Sequence, residues 1–176
     1  MANRSKKAVI SARIDPFLKA GLELAATTQN EKIVALLECG IQGVLSTTLV
    51  DDPFGETADA KTSFLQLMKN IWSEDEVIYK LRVGSLGYKY ADMETVDMAT
   101  LVANNIYFMG DFNLFGDLSV GRKKIGYFPS EIWLDLDLIR DEWDLISGYI
   151  KFIERNKGLD VDYDGFKSMI KNSGSK

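Results

Sequence analysis

The segment Ala8-Val9-Ile10-Ser11-Ala12-Arg13-Ile14 alternates like a strand, yet nothing close by in the chain can complete it. Strand side chains point to opposite faces in turn. Ala8, Ile10, Ala12 and Ile14 therefore form an apolar row, and Val9, Ser11 and Arg13 face the other way. A lone strand with one apolar face is not stable. It needs a partner, and no hairpin comes after it. Asp15-Pro16 comes next, a favoured helix N-cap and a residue favoured at the first helical position. The simplest partner is the same strand of a second copy, so the pattern predicts an antiparallel two-stranded ribbon shared by two chains.

The residues after the strand point the same way. Phe17, Leu18, Leu22, Leu24 and Ala25 recur at helical spacing. Thr27-Thr28-Gln29-Asn30 breaks the pattern, and Asn30 suits either an N-cap or a left-handed linker position. A second helix is expected over EKIVALLECGIQGVL. Its apolar positions Ile33, Val34, Leu36, Leu37, Ile41 and Val44 cover more than one face. A short helix this apolar is normally buried on several sides, which again implies a dimer.

The net charge of -5 conceals an asymmetry. Residues 1–50 carry six basic and four acidic side chains, a net of +2, and four of the basic ones precede Asp15. Residues 51–176 carry fifteen basic and twenty-two acidic ones, a net of -7. One end of the chain suits nucleic acid and the larger part does not.

Strand, Asp-Pro-capped helix, short turn and apolar helix within residues 6–46 resemble the ribbon-helix-helix family of bacterial and phage DNA-binding proteins. Arg13-Ile14-Asp15-Pro16 and the closing Ala35-Leu36-Leu37-Glu38-Cys39-Gly40-Ile41 carry the resemblance best. It implies that two chains pair their strands and that Lys7, Val9, Ser11 and Arg13 contact base edges in a major groove. Arg13 suits a bidentate contact to guanine, and Val9 suits a thymine methyl. Arg4 and Lys6 are expected on phosphates, which add affinity without sequence choice. The family also holds a phosphate at the start of its second helix, here Asn30, Glu31 and Lys32. Many members have Gly and then Ser or Thr at this place. Glu31 suits a helix dipole but repels a phosphate.

Beyond residues 1–48, polar residues with Pro53 and Gly55 predict a linker over 49–57. A mainly helical C-terminal domain is expected over 58–172, with a tail at 173–176. Helices are expected over AKTSFLQLMKNIW, after a capping-box pattern at Ser73–Glu76, and over METVDMATLVANNIYFM. Gly110, Gly116, Gly121 and Gly126 mark a loop or hairpin region containing Arg122-Lys123-Lys124, read as a solvated turn. A single long helix is expected over SEIWLDLDLIRDEWDLISGYIKFIERN, with Asp135, Asp137, Asp141, Glu142 and Asp144 on its solvated face. Asp160-Val161-Asp162-Tyr163-Asp164-Gly165 matches half of a calcium loop, but Lys171 stands where a bidentate Glu is needed. It is read as a turn before a last short helix.

Exclusions narrow the function. Histidine is absent, which removes histidine acid–base chemistry, Ser-His-Asp and Cys-His mechanisms and His-ligated zinc. The single cysteine, Cys39, allows no intrachain disulfide and fits a reducing compartment. No apolar run approaches the ~20 residues that span a bilayer. No metal, cofactor or enzymatic activity is expected, and the cytoplasm is the expected location. The fold class expected is mostly α: a ribbon-helix-helix unit of one strand and two helices, completed by dimerisation, then a mainly helical domain. The expected function is a sequence-specific transcriptional regulator, plasmid- or phage-borne, that binds double-stranded DNA as a homodimer or higher oligomer. A plasmid partition or relaxosome scaffold stays open, as does a dimerisation module that does not read DNA. A protein partner for the C-terminal domain also stays open.

Overall fold

Residues 9–55, 57, 59–116 and 131–173 are described by a computed structural model, and the chain divides into two compact units, 1–48 and 49–176. It is mostly helical, with eight α-helices, one 3-10 turn and two two-stranded ribbons among the described residues.

In the first unit, Asp15 and Asn30 bracket α1 (Pro16–Gln29). The Asp15 carboxylate accepts from the Phe17 N–H at 2.8 Å, and Pro16 occupies the first turn, where its missing N–H costs nothing. Asn30 takes the left-handed conformation at φ 54° and ends the helix. Helix α2 (Ile33–Thr47) begins after two further residues. Residues 9–15 form neither helix nor strand in the single chain, unlike the strand expected there. A strand is defined by its ladder, and one chain supplies no second side.

The second unit begins where the sequence predicts a linker. Leu49–Asp51 is a strand, β1, paired antiparallel with β2 (Lys61–Ser63) in the register Leu49↔Ser63 and Asp51↔Lys61. The polar residues close a turn: the Asp52 carboxylate accepts from the Phe54 N–H at 3.0 Å, and the Asp52 N–H donates to the Ala60 carbonyl at 2.8 Å. Phe54 is buried edge-on against Phe115, with ring centroids 5.8 Å apart. Residues 49–55 are therefore part of the folded unit.

Side-chain caps set the helix starts in this unit. Ser63 caps α3 (Phe64–Ile71), Asp75 caps α4 (Glu76–Ser85) and Asp92 caps α5 (Met93–Asn104). The expected capping box at Ser73 shifts by two residues. The Ser73 hydroxyl accepts from the Asp75 N–H, and Asp75 accepts from Val77 and Ile78. Helices α4 and α5 approach closely at Gly84, where a Cβ would lie 2.4 Å from the Thr95 carbonyl oxygen and 2.6 Å from the Ala99 Cβ.

After a 3-10 turn (Ile106–Phe108), β3 (Phe112–Asn113) pairs with β4 (Trp133–Leu134). Arg122, Lys123 and Lys124 lie outside the described residues. The expected long helix is divided into β4, α6 (Leu136–Asp141) and α7 (Trp143–Arg155). Asp135 caps α6 through the Leu138 N–H at 3.0 Å, and Glu142 interrupts the helical run before Trp143. The segment meets the core by both strand and helix rules. Leu134, Ile139 and Ile146 are each at most 1% exposed, whereas Trp133 remains 44% exposed. Helix α8 (Tyr163–Ser173) begins after Asp162, whose carboxylate accepts from the Gly165 N–H at 2.8 Å. One apolar core holds the unit together, with Leu67, Leu81, Val102, Phe108, Leu114 and Ile139 at its centre.

Candidate functional site

Residues 9–32 contain most of the side chains singled out by sequence. Val9, Ser11 and Arg13 are all exposed, Val9 at 92%. Ile10 and Ile14, in the row expected to be covered, are exposed too, at 81% and 50%. Arg4, Lys6 and Lys7 lie outside the described residues.

The turn between α1 and α2 has a definite hydrogen-bond arrangement. The Asn30 N–H donates to the carbonyls of Ala26 and Thr27, and the Glu31 N–H donates to Ala26 at 3.0 Å. These bonds close the C-terminus of α1, so neither N–H is free to hold a phosphate. Lys32 is the N-cap of α2, in extended conformation and with no side-chain cap bond. The N–H groups of Ile33 and Val34 in the first turn have no carbonyl one turn earlier. Of the expected phosphate-binding residues, Lys32 alone combines positive charge with a place at the α2 terminus.

The apolar side chains around this turn set the unit apart. Ala26 is its only buried hydrophobic residue among those described. Phe17 is 83% exposed, and Leu18, Leu24, Val34, Leu37, Ile41 and Val44 each show about half or more of their surface. No residue of α2 is buried. Cys39, on this helix, is a free and exposed thiol.

In the second unit, the polar residues that sequence reasoning missed meet beside α8. The Lys167 ammonium donates to Glu142 Oε1 at 2.5 Å and to the Tyr107 hydroxyl at 2.5 Å. Tyr107 and Tyr163 both donate to the Glu142 carboxylate, at 2.8 and 2.9 Å. The ammonium also lies 4.1 Å from the centroid of the Tyr107 ring. Burial pushes the Glu142 carboxyl up, but the hydrogen bonds from Lys167, Tyr107 and Tyr163 outweigh it and hold the carboxyl below its ordinary range. Burial and the bond to Glu142 drive the Tyr163 phenol upward. Each polar group of the cluster has a hydrogen-bond partner, with Lys167 and Glu142 as the ion pair and the two phenols as donors. This cluster fastens α8 to Tyr107 and Glu142. The sequence places Glu142 on a solvated acidic face, and the structure corrects this. Its spacing resembles that of its acidic neighbours, and nothing local marks it as the inward one.

At β1, Asp51 forms ion pairs with Lys61 and Lys89, and the bonds from these lysines lower its carboxyl to about 2. Among the described residues no group of three acidic or cysteine side chains is placed to hold a metal ion. No helix among them is long and apolar enough to cross a membrane. Comparison with protein families, with curated proteins and with solved structures finds no match to this chain.

Proposed function

We propose that residues 6–46 form a ribbon-helix-helix unit that dimerises and binds double-stranded DNA, making the protein a sequence-specific transcriptional regulator. The observation that carries the reading is the bare apolar surface of the first unit. A 48-residue unit with one buried hydrophobic side chain among its described residues has too little core to be stable alone. A second copy, adding its own α2 and pairing its residues 8–14, covers these faces and completes the ladder that a single chain lacks. Pairing also brings Val9, Ser11 and Arg13 onto one outer face, doubled by symmetry, at a width that a major groove admits.

A second reading rests on the inter-helix turn. Glu31 is acidic where the family holds a phosphate, and the N–H groups of Asn30 and Glu31 are already used by α1. A module that dimerises without reading DNA accommodates both facts.

Selection of DNA from a random pool separates the two. The regulator yields a short repeated or palindromic site, and Arg13→Ala weakens binding to it by about 1–3 kcal/mol while the dimer persists. Lys6→Ala weakens binding to all sequences and lowers the salt dependence. A stable dimer that enriches no sequence refutes the regulator.

A further inference from the structure

We infer that the cleft between α4, α5 and α7 binds an organic monocation, an ammonium or guanidinium group on a short apolar stem. The cleft has a volume of about 330 Å³, at the small end of the range for ligand sites. The apolar lining residues are buried Met98, half-buried Val77 and half-buried Trp143. The charged groups are unevenly satisfied. Lys80 is paired with Glu76 at 2.9 Å, and Lys151 with Glu94 at 2.9 Å. Ser147 joins the second pair, donating to Glu94 at 2.7 Å and accepting from Lys151 at 3.0 Å.

Both lysines are thus already neutralised. Asp144, exposed in the first turn of α7, has no ion-pair partner among the described residues, so the cleft carries a net charge of -1. An acidic residue and a tryptophan lining one cleft suit a cation, through Coulomb attraction and through the negative face of an indole. An anion meets an unpaired carboxylate and no spare cation. A serine nucleophile is also disfavoured. The lysine that would activate Ser147 is half exposed and occupied by Glu94, whereas a lysine base must be desolvated.

The same chemistry can come from a free amine or from an arginine or lysine side chain of a peptide. The site belongs to the second unit and does not depend on the DNA-binding proposal. The test uses the full chain and follows the three tryptophan indole N–H signals by NMR, with Trp143→Phe assigning one of them. Benzamidine and benzylamine probe the free ligand, N-acetyl-arginine methylamide the peptide-borne one, and benzyl alcohol the apolar stem alone. The inference expects saturable shifts of the Trp143 signal with at least one cation, with Kd near or below about 1 mM. Asp144→Asn, at an exposed position, should retain the fold and weaken that binding roughly tenfold. Strongest binding by the arginine amide identifies a peptide ligand, and strongest binding by the amines a small molecule. No saturable shift up to about 10 mM overturns the inference. So does equal binding of benzyl alcohol, or binding unchanged in Asp144→Asn.

Discussion

The two units of this chain use the same kinds of residue and reach opposite ends. Residues 49–176 gather Phe54, Leu67, Leu81, Phe108, Leu134 and Ile146 into a core that excludes water completely at several points. Among the described residues of 1–48, eleven large hydrophobic side chains are 40–92% exposed and only Ala26 is a buried one. Hydrophobic content alone does not make a core. Two helices joined by a tight turn can cover one face of each, and α2 has apolar residues on more than one. The second unit has several helices and two ribbons around one centre, so its elements bury a shared core within the chain although side chains such as Ile106 and Met109 stay exposed. The first unit satisfies its local rules of capping and turn formation but not its burial.

The sharpest way to break this comparison is to test the units for independence. Residues 49–176 alone should melt cooperatively at a temperature independent of concentration, and residues 1–48 should melt at one that rises with concentration. In the full chain, Ile41→Glu should convert a dimer to a monomer by sedimentation. It should leave the second unit's stability within about 0.5 kcal/mol. A variant that stays dimeric shows that α2 is covered by something else.

Next in size is the core itself. Phe108→Ala, at a position with no exposure, should cost about 3–5 kcal/mol in denaturant unfolding of the second unit. The equivalent change at exposed Phe17 should cost far less in a chain held monomeric.

The fastening of α8 comes third. Lys167→Met should cost about 1–3 kcal/mol, because it strips a charged partner from the half-buried Glu142. The Glu142 carboxyl titrates below its ordinary value of 4.5 in the folded protein. Its contribution is therefore present above that value and is lost as pH falls through the lower, folded one. Lys167 is shifted up from 10.5, against the pull of burial and chiefly by Glu142, so its contribution is lost in alkali as pH rises through the higher, folded value. Stability measured against pH should decline in acid for the wild type, and less steeply for Lys167→Met.

The smallest effect is at the Asp15 cap. Asp15→Ala removes the 2.8 Å bond to the Phe17 N–H and should cost about 1 kcal/mol of the first unit's stability by thermal melting. No change would mean that pairing, rather than capping, sets the start of α1.

Much of the helical architecture is legible in local chemistry. Asp15-Pro16 announces α1, Asn30 its left-handed end, and the apolar spacings of Leu65–Met68 and Val96–Val102 mark α3 and α5. These features are decided within one or two turns, where caps and side-chain periodicity act. The candidate DNA-facing residues are legible in the same limited sense: Arg13 and Val9 share a parity, and parity is a local property.

What the tertiary structure decided is everything that depends on a distant partner. The stretch 133–155 has helical spacing throughout, yet Trp133–Leu134 becomes a strand because Phe112–Asn113 lies alongside it. Residues 49–51 look like a linker and fold because Lys61–Ser63 supplies a ladder. Glu142 resembles its acidic neighbours, and only Tyr107 of the 3-10 turn and Tyr163 and Lys167 of α8, brought from two other parts of the chain, turn it inward. A periodicity specifies which side chains share a face. It does not specify what that face meets, because the free energy of burial depends on the partner's surface as much as on its own.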